Sequence, residues 1–454
     1  MVERADDDAA AVAGRAAGPR VGSRTDASTA HPPGTITALR VHPARVPLAR
    51  PFTTAVRTAT EIDVVLIEAV CGDGADGVLR GWGEAACSWR VTGESPQSVR
   101  AVVEGPLTDA VVGLSADDPR SVAEAARAAV AFNSAARSAV VCAVYDLAAQ
   151  RAGMPLAAYL RSGAEGAVGR EDRRRDRRGD DRGGELAGGR VGRGDRGDRG
   201  DRGDEQGVPV LRTDMTLSCA PTDELVRRAR EHVAEGFGTL KVKVGGGFDD
   251  PAALPAVRAA VGPEVVLRAD ANQGWSAERA IEVIAAWQDA GAGVELVEQP
   301  VSAGRLDELA RVRAAVETPI LADEAVWDSD DLRAVIRAGA ADLVNIKLAK
   351  CGGIAEALDM IALAQEAGLG VIIGCMMESS VGIAAAAAVA ATLPDAAVRA
   401  QDLDAGAWQR DTTGGGLRYR GDVLEPSRLP GLGIRPGPRP DAGGDGEDGD
   451  SAIS

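Results

Sequence analysis

TLKVKVGGGFDDPAALPAVRAAVGPEVVLRAD, residues 239–270, reads as strand, helix and strand in one unit. TLKVKV (239–244) and VVLRAD (265–270) are short apolar runs that end in charge, and the stretch between them has the length and spacing of an amphipathic helix. Outward from this unit the rhythm repeats. Downstream come VELVEQ (294–299), PILADE (319–324), DLVNIK (342–347), GVIIG (370–374) and VRAQDLD (398–404); upstream comes RTDMTLS (212–218). Amphipathic stretches of 10–16 residues separate the runs, among them PTDELVRRAREHVAEG, which begins on a Thr/Asp cap and stops at Gly236. Eight strands alternating with seven helices over 208–420 predict an α/β fold, a modified TIM barrel of (β/α)7β form with its last helix absent. A doubly wound open sheet is the competing architecture, but no GxGxxG follows any of the strands.

The rest of the chain divides around that barrel. Residues 35–162 open with period-2 runs in TITALRVHPARVPL and EIDVVLIEAV, turn at CGDGADG into GWGEAA, and then take helical spacing in VAEAARAAVAF and ARSAVVCAVYDLAAQRAG. That is an α+β unit, strands first. Residues 1–34 and 435–454 lack apolar patterning and are expected to be disordered tails. Between the two folded parts, 163–207 form a low-complexity insert in which 12 Arg are offset by 12 Asp+Glu, with almost nothing apolar to bury.

Composition narrows the function. Of 454 residues 45% are apolar and 26% charged, a soluble globular profile, and with aromatics at 3% the core must be Ala, Val, Leu and Ile. Lys+Arg number 51 against 68 Asp+Glu, so the net charge of −17 argues against a nucleic-acid or anionic-membrane surface. No run approaches the roughly 18 apolar residues of a membrane span, the Ala-rich Gly382–Leu393 included. Met1–Pro33 shows no secretory h-region, and Cys71, Cys87, Cys142, Cys219, Cys351 and Cys375 have no CxxC spacing. Both point to reduced thiols in a cytoplasmic protein.

In a parallel barrel, chemistry collects where the strands end. Here the ends read Lys241-Val242-Lys243, Asp270 with Asn272-Gln273 after it, Glu298, Asp323-Glu324, Lys347, Cys375-Met376-Met377-Glu378, and Asp402-Leu403-Asp404. Strands buried on both faces are normally apolar throughout, so this much charge at one rim needs a cause. Asp270, Glu298 and Asp323 lie on three successive strands and would repel one another in a partly buried mouth. A hard divalent cation resolves that repulsion, and an all-oxygen ligand set suits Mg²⁺. The competing reading pairs the acids with lysines as structural salt bridges. Lys243 and Lys347 flank the three acidic strands from opposite sides; beside a divalent ion their pKa values should fall, so that one of them can act as a base. Lys241 shares a strand face with Lys243 and keeps positive charge available to a substrate oxygen. Asp402 and Asp404, spaced i, i+2, would point to one side of the last strand and suit a cationic group.

KxK followed by VG, RADANQGW, VELVEQP, ILADE and NIKLAKCGG resemble the enolase superfamily, in its muconate-lactonising-type subgroup. The resemblance covers about 35–162 and 208–434, and implies that 35–162 is a capping domain and 421–434 a segment returning to it. It implies catalytic roles for Lys243 and Lys347 on either side of an Mg²⁺-stabilised enediolate. The mandelate-racemase branch expects a His–Asp pair at the later strands, and this chain has only His31, His42 and His232. GCMMESSVG and the DxD of Asp402 and Asp404 resemble dipeptide epimerases, in which that pair binds the substrate α-ammonium. In PFTTAVRT the resemblance makes Arg57 a partner for a substrate carboxylate. Thr216, Lys241, Asn272, Cys375 and Met377 match positions that line the dipeptide in that family.

The expected activity is therefore epimerisation of the C-terminal residue of a dipeptide, with Ala-Glu from peptidoglycan as the leading substrate. Lys243 would serve the R configuration and Lys347 the S. The partner is a small molecule, neither nucleic acid nor membrane, and the oligomeric state is left open, a homo-oligomer included. The alternatives on the same enediolate are o-succinylbenzoate synthesis, muconate cycloisomerisation and N-acylamino acid racemisation. Those substrates lack a free ammonium and leave the DxD pair without work. A catalytically silent barrel whose insert binds RNA or a partner would lack a ligand or a lysine, and none is missing.

Overall fold

The computed structural model describes residues 32–53, 58–72, 77–163, 208–396, 398–409 and 414–435. The alternating runs at the start of the chain form an antiparallel sheet, β1 (Ile36–Thr53), β2 (Thr58–Gly72) and β3 (Val78–Ala86), in the order β1-β2-β3. Among the helices that follow are α1 (Pro96–Val102), α2 (Pro119–Ala129) and α3 (Ser134–Arg151). Helix α3 packs on β3 so closely that a Cβ on Gly81 would stand 2.1 Å from the Ala143 carbonyl oxygen, and one on Gly83 1.9 Å from that of Ala139. Glycine at these two positions of one strand face is what lets sheet and helix touch backbone to backbone. Glu94, buried in the loop before α1, caps α3 by accepting from the backbone N–H groups of Ala135 and Ala136, each at 2.9 Å.

A two-residue strand, β4 (Leu211–Arg212), precedes the parallel sheet of β5 (Met215–Leu217), β6 (Thr239–Lys243), β7 (Val266–Asp270), β8 (Val294–Glu298), β9 (Ile320–Ala322), β10 (Leu343–Lys347) and β11 (Gly370–Gly374). The spatial order equals the sequence order, the mark of a barrel wall built from successive βα units. The longer helices are α4 (Thr222–Ala234), α5 (Asp250–Val261), α6 (Ala277–Asp289), α7 (Leu306–Ala315), α8 (Ser329–Ala338), α9 (Ile354–Glu366) and α10 (Ser380–Ala390), and a single turn, Leu348–Cys351, follows β10. The Thr/Asp cap expected for α4 is not formed. Pro221 is the N-cap and makes no side-chain cap bond, although Gly236, at φ 98°, lies just past the helix end.

The eighth strand differs from expectation. Of VRAQDLD only Gln401 and Asp402 pair, bridging in parallel to Thr213 and Gly374, and so close the ring between β11 and the start of β5. Strand geometry stops there because Asp404 opens a short 3₁₀ turn (Asp404–Trp408), its carboxylate bonded to the Trp408 indole N–H and the Thr216 backbone N–H. After the barrel, β12 (Gly414–Gly415), β13 (Leu417–Arg420), β14 (Val423–Pro426) and β15 (Ile434–Arg435) run back toward the first sheet. β13 and β14 join β4 in a small antiparallel sheet, and the Leu432 N–H donates to Asp146 of α3 at 2.7 Å. Glu84 of β3 ties the two folded parts together by accepting from the Ser379 and Gly382 N–H groups at the N-terminus of α10. No described helix is long and apolar enough to cross a membrane.

Candidate active site

Strand register sets the site. Lys243, Asp270 and Glu298 are consecutive register partners at the ends of β6, β7 and β8, so their side chains leave the wall at one level. Asp323 stands just beyond β9, and Lys347 ends β10. The loops that follow are bent sharply. Asn272 (φ 43°), Gln273 (φ 68°) and Gln299 (φ 35°) occupy the left-handed region, a cost of about 1–3 kcal/mol each, concentrated at the rim where the chemistry would be. Gln299 repays this by accepting from the Asp323 N–H at 3.0 Å and the Ala325 N–H at 3.1 Å, which fixes Asp323 in place.

The expected residues gather around one cavity of about 470 Å³. Its wall includes Thr216, Lys241, Lys243, Asn272, Asp323, Lys347, Cys375, Met377, Asp402 and Asp404, while Asp270 and Glu298 are buried beneath it. Arg57 lies outside the described residues. Arg90, from the loop 88–95, is among the residues lining the cavity. A larger cavity of about 780 Å³ between α2 and α9 shares only Val91, Trp327 and Lys350 with this one.

Each acid is engaged by a lysine. Asp270 Oδ2 takes Lys243 Nζ at 2.5 Å, and Asp323 Oδ2 takes Lys347 Nζ at 2.8 Å. Lys241 Nζ lies 2.5 Å from Asp402, 3.5 Å from Glu298 and 4.0 Å from Asp270. The salt-bridge geometry weighed against a metal site in the sequence is thus formed, and one lysine does reach acids on two of the three strands. The protein groups alone, without the divalent ion for which a lowering was expected, set the two lysine pKa values high. Burial pushes the Lys243 and Lys347 ammonium groups down, but Asp270 beside the first and Asp323 beside the second outweigh it and leave both raised. Glu298 is raised as well, but here burial is the cause rather than the opponent: burial and the nearby Asp270 charge lift its carboxyl well above the ordinary range, more than Lys241 offsets. Asp323 is held low against its burial by Lys347 and by a residue the sequence analysis passed over, Lys350.

Lys350 is buried and donates to Asp323 Oδ1 at 2.6 Å and to the carbonyls of Asp323 and Val326. Its spacing of three from Lys347, one helical turn on in KLAK, was the signal available. Asn345, also passed over, donates to Glu298 at 2.9 Å and to Asp402 at 3.0 Å and so joins the two acidic groups. Asn272 donates to Glu324, whose other carboxylate oxygen is buried without a hydrogen-bond partner among the described residues.

The expected DxD geometry is corrected. Asp402 and Asp404 both face the cavity, but they do not act as an equivalent pair on one strand face. Asp402 is bound to Lys241 and Asn345, whereas Asp404 has left the strand and accepts from neutral donors. Among the described residues, the group of three acids whose oxygens lie within 4.8 Å of one another is Asp214, Asp402 and Asp404, not Asp270, Glu298 and Asp323. The latter three nonetheless suit a hard cation: all are carboxylates, Glu298 is under-compensated, and the orphaned Glu324 oxygen lies beside them.

Comparison with known proteins bears on the arrangement. Residues 35–160 match the mandelate racemase/muconate lactonizing enzyme N-terminal domain, and residues 224–439 match the enolase C-terminal domain-like family. The chain is 33% identical to the L-Ala-D/L-Glu epimerase of Bacillus subtilis, over 86% of this chain and 93% of that protein. To the hydrophobic dipeptide epimerase of Enterococcus faecalis it is 33% identical over 88% and 99%. Among solved structures, the substrate-liganded B. subtilis epimerase superimposes with a TM-score of 0.74, covering 88% of this chain and 98% of that one at 33% identity. The E. faecalis epimerase complexed with Mg and L-Leu-L-Tyr gives 0.73, covering 88% and 99% at 32% identity.

Proposed function

The chain belongs to the mandelate racemase/muconate lactonizing enzyme family of the enolase superfamily and is an isomerase of the epimerase kind; on that premise we propose that it inverts the α-carbon of the C-terminal residue of a dipeptide, Ala-Glu foremost. The observation that carries the reading is the placement of two amines on opposite sides of one cavity, Lys243 on β6 and Lys347 on β10, each held by a carboxylate of the strand end next to it.

A carbon acid bound between them meets one amine on each face. One lysine in its neutral form takes the α-proton, leaving a planar enediolate of the substrate. The other, protonated, returns a proton to the opposite face, and the centre is inverted. Asp270 and Asp323 orient the two amines and set their proton affinity, which falls as either carboxylate contact is loosened. Lys241, with a raised pKa, stays charged and offers its ammonium to the substrate carboxylate. Lys350 and Gln299 keep Asp323 fixed while this happens. Asp270, Glu298 and Asp323 are the residues that would hold Mg²⁺, which supplies charge neutralisation to the substrate carboxylate as the α-proton leaves. All of these groups act on charge that develops on the way to the transition state, where stabilisation raises the rate.

Asp402 and Asp404 on the cavity wall supply the negative surface for the dipeptide ammonium. With Thr216, Asn272, Cys375 and Met377 they make up the substrate-binding wall, and Arg57 is assigned to the substrate side chain from sequence. The same reading places the protein in the cytoplasm, acting on dipeptides released from peptidoglycan. A dipeptide library incubated with enzyme and Mg²⁺ in D₂O tests it: deuterium should enter at Cα of the C-terminal residue, first in Ala-Glu and not in its N-acetylated form. No incorporation in any dipeptide, or preferential incorporation in the acetylated compound, would overturn it.

A further inference from the structure

Asp214 has no part in the mechanism above. It lies just before β5, fully buried, and is not among the residues lining the cavity, yet it stands with Asp402 and Asp404 in the three-carboxylate group. The cations available to that group are shared. Arg268 reaches Asp214 Oδ2 at 2.9 Å but also holds Glu295 at 2.7 Å, and Lys241 divides itself among Asp402, Glu298 and Asp270. Asp404 has only neutral donors on its Oδ2, from Thr216 and Trp408. Asp214 Oδ1 is buried with no hydrogen-bond partner among the described residues. A carboxylate oxygen left unsatisfied in a dry setting marks negative charge that something else must meet. Burial and the charges of Asp402 and Asp404 push the Asp214 carboxyl up to about 7 against the pull of Lys241 and Arg268, so a cation arriving beside it would favour the ionised form.

The chemistry of the remaining space favours an ammonium over a metal ion. Both Asp402 oxygens are taken by Lys241 and Asn345, and a hard metal ion would need several free oxygens at once. A primary ammonium brings its own N–H donors and needs only acceptors and a negative field. Resting on the proposed function, we infer that Asp214 is a specificity-determining positioning residue: as the buried third carboxylate behind Asp402 and Asp404, it makes this subsite require a substrate carrying a primary ammonium group.

The test compares L-Ala-L-Glu with propionyl-L-Glu, which has the same shape without the amine, by Cα deuterium exchange on the Mg²⁺-loaded enzyme. In Asp214→Asn the preference for the amine, as the ratio of kcat/KM values, should fall about tenfold, the effect of one charge acting over a few ångströms in a partly buried site. The loss should come through KM for L-Ala-L-Glu, with propionyl-L-Glu little changed, and Asp214→Glu should restore the preference. A merely structural role would lower both substrates together, and an unchanged ratio overturns the inference. A second measurement needs no variant: methylammonium should raise the melting temperature of the wild-type enzyme more than the bulkier tetramethylammonium at equal ionic strength. Equal shifts overturn the inference even if Asp214→Asn does not fold. Wild-type enzyme inactive on every dipeptide would instead count against the proposed function, while the melting comparison would still decide the cation subsite.

Discussion

Lys243 Nζ lies 2.5 Å from Asp270 Oδ2, and the two residues are direct register partners on neighbouring parallel strands. The pair is therefore fixed by backbone hydrogen bonding as well as by charge. Across the cavity Lys347 and Asp323 repeat the relationship at 2.8 Å without direct register, since Asp323 lies beyond the end of β9. The wall thus presents two amine–carboxylate pairs with Glu298 between them, and the energetics of the three acids differ accordingly.

Asp323 and Glu298 should respond in opposite ways to neutralisation. Asp323→Asn leaves Lys347 and Lys350 buried without their carboxylate, a loss of about 3–5 kcal/mol in the metal-free protein. Glu298→Gln removes a charge that burial and Asp270 already disfavour, so metal-free stability should hold or rise. The wild type is expected to gain melting temperature from Mg²⁺, and both variants should lose that increase. Thermal melts with EDTA and with Mg²⁺ check this; equal metal-free losses in the two variants would contradict the charge assignment.

Stability should fall with pH through Glu378. Burial, then the neighbouring Glu84, push this carboxyl up to about 8 from 4.5. The folded chain therefore binds more protons than the unfolded chain between those values. The contribution is fully present below the lower value and is lost as pH rises through the upper one. Glu378 alone should remove about 2 kcal/mol between pH 6 and 8. Urea unfolding at the two pH values should show a clearly flatter dependence in Glu378→Gln, and parallel curves for wild type and variant would refute the assignment.

Gly83 is expected to tolerate no side chain. Its Cβ would meet the Ala139 carbonyl oxygen, which belongs to a helix backbone and cannot swing aside. Gly83→Ala should destabilise the protein by about 3 kcal/mol or more, at the upper end of overpacking costs, whereas Gly72→Ala, with open space around it, should be nearly silent. Denaturation midpoints of the two variants provide the comparison.

The barrel and its rim were legible for one physical reason. Strands covered on both faces are apolar, so Lys243, Asp270, Glu298 and Lys347 at their ends stand out against Val, Leu and Ile. What the sequence hid is pairing that depends on three dimensions. The segment ending in Asp402-Leu403-Asp404 reads as a strand by alternation, but the bonds from Thr216 and Trp408 to Asp404 turn it into a 3₁₀ coil after two paired residues. Lys350 reads as an ordinary helix-surface lysine until its burial against Asp323 is seen. Asp214 and Asn345 share strand segments with residues that were singled out, and only the barrel interior shows whether such polar groups find partners. Arg57, assigned by resemblance, falls in a stretch the structure does not describe.

The most direct test of the two-sided amine arrangement is Cα deuterium wash-in with each epimer of the substrate, using Lys243→Ala and Lys347→Ala. The account predicts that each variant loses exchange from one epimer only, Lys243→Ala from the R centre and Lys347→Ala from the S centre, with net epimerisation abolished in both. Undiminished exchange from both epimers in both variants would contradict it.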